Sequence, residues 1–141
     1  MSGQRVIEAG GRRLAIYLPA SSWVKGLTFF SEDKDVLQVG VWGYDKGKRR
    51  QPHIHNEVRR DISRTQEVIF VKSGKIAANI FDEKGDFVER IELGSGDTLI
   101  YLQGGHGYEI LEDDTYVLEV KNGPYPGAEA DRRRIEWKGK P

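Results

Sequence analysis

The chain holds three histidines and no cysteine, and the placement of those histidines carries most of its chemical information. His53 and His55 stand two apart in Gln51-Pro52-His53-Ile54-His55. Alternate residues of a strand share a face, so both imidazoles project together and Ile54 points the other way. Such a pair is ready to ligate a divalent cation. Glu67 opens the β-branched run Val68-Ile69-Phe70-Val71. A carboxylate facing inward there needs a partner, because an unpaired buried charge is costly, and a cation is one such partner. His106 follows Gly104-Gly105 and begins His106-Gly107-Tyr108-Glu109-Ile110, where His106, Tyr108 and Ile110 share a face. Imidazoles with a carboxylate suit Fe, Mn, Ni, Zn or Cu, and ligand type alone does not choose among them.

Residues near such a centre would decide what it binds. Arg49 and Gln51 have the same parity as His53 and His55, so all four face one side of an extended run. Arg49 is able to clamp a carboxylate or phosphate in a bidentate way. The run Lys48-Arg49-Arg50 equally suits a charged strand edge that discourages pairing. Tyr108 is placed to give a proton or a hydrogen bond, or to pack as a core aromatic. Trp42 and Tyr44 read as core, Arg59, Arg60 and Arg64 as a solvated hairpin tip, and Arg132-Arg133-Arg134 as a surface charge run. No phosphate-binding Gly loop, dinucleotide fingerprint or Gly-x-Ser-x-Gly elbow occurs.

The elements that must position these residues are strands. Short β-type runs fall at about 13–18, 27–31, 36–44, 49–55, 65–73, 75–82, 87–93, 98–102, 106–111 and 115–121. Gly- and Asp-rich turns such as Ser73-Gly74, Glu83-Lys84-Gly85-Asp86 and Gly94-Ser95-Gly96-Asp97 separate them. That spacing is the signature of an all-β sandwich or barrel. No window carries a clean helical period, so a short helix near the tail is the one helical option. In 115–121, Tyr116, Leu118 and Val120 alternate with Val117, Glu119 and Lys121, which predicts one face on the core and one in water. Two prolines in Asn122-Gly123-Pro124-Tyr125-Pro126-Gly127 end the strand pattern. Residues 1–126 therefore read as one domain with N-terminal strands, and 127–141 as a charged tail over its surface or over a partner subunit.

Composition narrows the classes. At 141 residues the chain is long enough for one cored domain. Without cysteine it has no disulfides, thiolate metal sites or cysteine nucleophile. Lys plus Arg and Asp plus Glu are each 22, which removes the electrostatic case for nucleic acid or an anionic membrane as the main partner. No apolar run reaches the roughly 20 residues of a membrane helix. The first twenty residues lack the apolar stretch of a signal peptide. A cytoplasmic protein is the resulting expectation.

The stretch from His53 to Gly74 resembles the first motif of the cupins, in which His-x-His is followed by Glu, six residues and Gly. Glu67 and Gly74 have that last spacing. Gly96-Asp97 leading to His106 is similar to the second cupin motif. The resemblance spans roughly 36–121. It implies a double-stranded β-helix, the jelly-roll barrel of cupins, with a divalent metal held by His53, His55, Glu67 and His106. Two departures stand in this chain. Eleven residues separate His55 from Glu67, where about four are usual, and the second motif lacks Pro-x-Gly before its His and has Ile110 where Asn is usual.

Three functions follow as expectations. The first is a metal-dependent enzyme, an isomerase or dioxygenase, acting on a small polar or sugar-derived substrate with Tyr108 as acid or base. The second is a non-catalytic sugar-binding protein. The third is a metal-free sugar epimerase or ketoisomerase with a His base and a Tyr acid. A small jelly roll leaves sheet edges, and a homodimer is the expected way to cover them.

Overall fold

The structure, a computed structural model, describes residues 3–139. It is all-β, with three antiparallel sheets. The strands are β1 (Arg5–Ala9), β2 (Arg12–Leu18), β3 (Gly26–Phe29), β4 (Gly40–Gly43), β5 (Glu67–Ser73), β6 (Lys75–Phe81), β7 (Phe87–Gly94), β8 (Thr98–Tyr101), β9 (Gly105–Ile110) and β10 (Tyr116–Lys121). A four-residue helix, α1 (Ala128–Asp131), follows. The larger sheet runs β1-β2-β8-β5-β10, a second runs β7-β6-β9, and β3 pairs with β4 alone.

Why β2 and β8 sit mid-sheet is legible in their residues. Leu14, Ala15, Ile16 and Leu18 of β2 are buried, as are all four residues of β8. A strand buried on both faces reads as a continuous apolar run rather than an alternation. Its two faces feed two cores. Leu14, Ile69, Val71 and Leu99 meet Ile76, Ala78, Ile80, Ile91 and Leu93 of the second sheet in the main core, which makes the two sheets a sandwich. Ile16, Leu18, Ile100 and Leu102 turn outward and are covered by Phe30 and Val41 beside the β3–β4 hairpin. Each fully buried Leu or Ile in these clusters contributes about 1.5–3 kcal/mol of transfer free energy.

Several expectations change. The sequence pattern misses β1, which forms because Gly10 and Gly11, both at positive φ, turn the chain back onto β2. The expected strand over 36–44 shortens to β4. The expected strand over 49–55 does not form: residues 44–66 are without regular structure, and 44–65 are all exposed. A strand needs a ladder partner, Pro52 removes one donor, and no other strand lies alongside this run. The described residues are thus all-β as expected, in three antiparallel sheets compatible with a sandwich, and no closed barrel is found among them.

The tail lies on the chain itself. Trp137 stacks on Phe87 with ring centroids 5.7 Å apart and meets Phe81 edge-on at 5.4 Å. Arg133 Nη2 donates to the Glu83 carbonyl at 2.8 Å. No described helix is long and apolar enough to cross a membrane.

Candidate functional site

The polar residues of interest gather at one end of the sandwich, between β5 and β10 on one side and β6 and β9 on the other. Register explains how. Glu67 pairs with Tyr101 on β8 and with Lys121 on β10, and Ile69 pairs with Glu119. His106 pairs with Ile80 and Tyr108 with Ala78 of β6. Ile69, Ala78 and Ile80 face the main core, so Glu67, His106, Tyr108 and Glu119 turn toward the space between the sheets. The approach of β9 to β6 depends on Gly104. It has φ +82°, and a Cβ there would collide with the Phe81 carbonyl, so only glycine fits before His106.

The distances are short. His106 Nε2 lies 3.5 Å from Glu67 Oε1, and the Tyr108 hydroxyl lies 3.4 Å from the same oxygen. The Tyr101 ring stacks on His106 with centroids 4.1 Å apart, and His106 and Tyr108 are 5.5 Å apart. Glu67 is buried, and burial pushes its carboxyl up to about 8, helped by a hydrogen bond with Glu119 and by the Glu119 charge. Burial holds His106 below the usual imidazole range. It also raises the hydroxyls of Tyr101 and Tyr108, keeping both as donors. The Tyr101 hydroxyl is buried, with the Tyr108 hydroxyl as its one polar neighbour and no hydrogen bond of full geometry. Buried hydroxyls are nearly always satisfied, so one without a well-formed bond marks a place where a further polar group fits.

These side chains line a cleft of about 1060 Å³. Its floor is Glu67, Tyr101, His106 and Tyr108, and Arg132 and Arg134 of the tail stand along it. The tail arginines, expected on plain surface, thus face a cavity.

No family model, curated protein or solved structure matches the chain.

The geometry therefore carries the functional reading, and it divides the expected residues in two. Glu67, His106 and Tyr108 come together. His53 and His55 do not join them: both lie on the exposed 44–66 arm, their rings edge to face with centroids 4.9 Å apart. Arg49 and Gln51 are exposed on the same arm and line no part of the cleft. Among the described residues no three His, Asp or Glu side chains are grouped to hold a metal ion. The four expected ligands thus do not assemble within one chain as it stands. Trp42 and Tyr44, read as core, are exposed and stack on each other at 6.0 Å.

Tyr101, Glu119 and Lys121 are cleft residues that the sequence pattern passes over. The signal for the last two was the alternation of β10, read with the opposite sense. Its polar residues face the cleft, and its apolar ones, Tyr116, Leu118 and Val120, are 63%, 59% and 49% exposed.

Proposed function

We propose that the cleft binds a small polar carbonyl compound of the sugar class and moves a proton on it. The observation that supports this is the cluster of Glu67, His106, Tyr108 and the Tyr101 hydroxyl at the cleft floor. His106, a half-buried imidazole, takes the proton from the carbon beside the carbonyl. Tyr108 gives a proton to the carbonyl oxygen, so an enediol forms with no net change in charge. His106 then returns its proton to the neighbouring carbon while the hydroxyl on the first carbon gives its proton to the Tyr108 oxygen, which completes an isomerisation and restores both groups. Glu67 lies against both groups and sets their orientation, and Tyr101 offers its hydroxyl to the ligand beside that of Tyr108. A positioned acid or base contributes about 10²–10⁴-fold to such a step.

The test is exchange of substrate hydrogens in heavy water, followed by NMR over a panel of keto sugars and their phosphates. Exchange by the parent protein that falls at least about 100-fold in both His106→Ala and Tyr108→Phe is the expected result. Absence of exchange across the panel would leave a binding role at most.

A second reading, a cupin-like divalent metal centre, has its own observation. His53 and His55 present two imidazoles side by side, and Glu67 and His106 present two more donors of the right type. Movement of the arm onto the cleft would complete the set, and a bound cation would then polarise a carbonyl. Metal analysis of protein purified without a metal-affinity step checks it. Near-stoichiometric metal that is lost in a His53→Ala, His55→Ala variant is the expected outcome.

A further inference from the structure

β10 ends the larger sheet, and β9 ends the second. The two edges lie side by side, because β10 pairs with β5 and β9 with β6 around the same core. Ile69, Ile76, Ile110, Val117 and Tyr108 line a cavity of about 280 Å³ between them. Long apolar edges with free N–H and C=O groups are what a sheet normally covers. Here Ile110 is 63% exposed, and the outer face of β10 shows Tyr116, Leu118 and Val120.

The same chain carries a segment suited to cover them. Residues 44–65 are exposed throughout and belong to no strand or helix, with Ile54 92% exposed. Compact domains rarely keep so long a structureless connection. The charges match. Residues 45–64 hold seven Lys and Arg against three Asp and Glu, whereas 105–120 hold five Asp and Glu and no Lys or Arg. A second apolar surface lies at the start of the arm, where Leu27, Phe29 and Trp42 of the β3–β4 hairpin are 45%, 55% and 57% exposed. That hairpin is fixed over β2 and β8, on the far side of β5 from β10.

We propose that the open β9/β10 edge is the docking site for the arm of a second copy of this chain, each copy giving its arm to the other. The arm adds as a strand beside β9, and the exposed hairpin and the outer face of β10 become the flanks of a self-complementary interface. With His53 and His55 turned inward, their imidazoles come to the Glu67 and His106 end of the other copy. The donors separated within one chain then meet across two. The docking stands on edges, apolar surface and charge alone; the completed ligand set rests on the metal reading.

The chain has no cysteine of its own, so single thiols report contacts cleanly. Light scattering of the full chain is expected to give twice the 16.0 kDa chain mass. Ile54→Cys and Glu109→Cys proteins, both altered at exposed positions, are unfolded together, refolded as a mixture and treated with a short bis-maleimide. A mixed cross-linked pair is expected at high yield, and Leu118→Glu is expected to shift the mass toward the monomer. A monomer at all concentrations would overturn the proposal. So would cross-linking confined within single chains of an Ile54→Cys, Glu109→Cys double variant, which places the arm in its own cleft. A dimer without mixed cross-links would place the interface elsewhere and overturn it too.

The ligand set is read separately. A mixture of His55→Ala and His106→Ala chains, refolded together, should regain about one quarter of the parent's bound metal, because half of the randomly paired dimers are mixed and each of these has one intact site. A cross-linked dimer without metal leaves the docking intact and removes the metal reading alone.

Discussion

β8 and β10 are both neighbours of β5 in one antiparallel sheet, yet they live in different surroundings. Every residue of β8 is buried, and five of the six residues of β10 are exposed. β8 is apolar on both faces because a core lies on each side of it. β10 is amphipathic, and its polar side faces the cleft. The lesson is that an inward charge can be the functional element and an outward apolar row the unfinished one. Glu119 and Lys121 point to the cleft because Glu67 does, and register carries all three together.

The comparison is broken most sharply by truncation. Leu99→Ala, in β8 at 0% exposure, should cost about 2–5 kcal/mol. Leu118→Ala, at 59%, should change the stability of the isolated monomer by under about 0.5 kcal/mol. Urea titrations at low protein concentration read both. A large loss at Leu118 under those conditions would show that its surface is already covered within one chain.

A smaller effect sharpens the polar side. The folded chain holds the Glu67 proton to about 8, against 4.5 for a free carboxyl. Between those values the unfolded state releases its proton first, so stability falls as pH rises through that window. In chelator-treated protein, Glu67→Gln should flatten this slope and be more stable than the parent above pH 8 by at least about 1 kcal/mol. Thermal melts at pH 5 and pH 8.5 check the sign. Tyr101→Phe removes a buried hydroxyl whose polar neighbour is the Tyr108 hydroxyl without a hydrogen bond of full geometry, so it should change the melting point little while weakening ligand binding. The smallest expected effect is at the arm. Arg59 and Asp61 pair 3.4 Å apart with both side chains over four-fifths exposed, and Arg59→Ala should not measurably alter monomer stability.

Much of the scaffold was legible in the sequence, since β-branched runs and Gly-Asp turns mark local chemistry. Nine of the ten expected strands appear, with ends shifted by a few residues. The run from Arg49 to His55 had strand residues but no strand, because pairing is decided by a partner that periodicity does not reveal. Glu67, His106 and Tyr108 were legible as a group, for each sits on a strand whose register is set by buried neighbours. His53 and His55 were legible as a pair, since their parity is local, but not as neighbours of Glu67. Tyr101 was hidden because a Tyr at the end of Thr98-Leu99-Ile100 looks like ordinary core. The sense of β10 was hidden because apolar-inside is the default for a half-buried strand.

The pairing of β2 with β8 has a consequence in time. Ile16 lies opposite Ile100, so the centre of the larger sheet is stitched across more than eighty residues. Such distant pairing slows folding, because the loop must close before the contact rewards it. During synthesis at about 5–20 residues per second, the β1–β2 hairpin would wait roughly 4–17 s for its partner strand to be made. Through that interval Leu14, Ile16 and Leu18 have no sheet to enter. The chain's most vulnerable moment is thus set by the order of its strands, and a chaperone that shields an early apolar hairpin would act on this segment first.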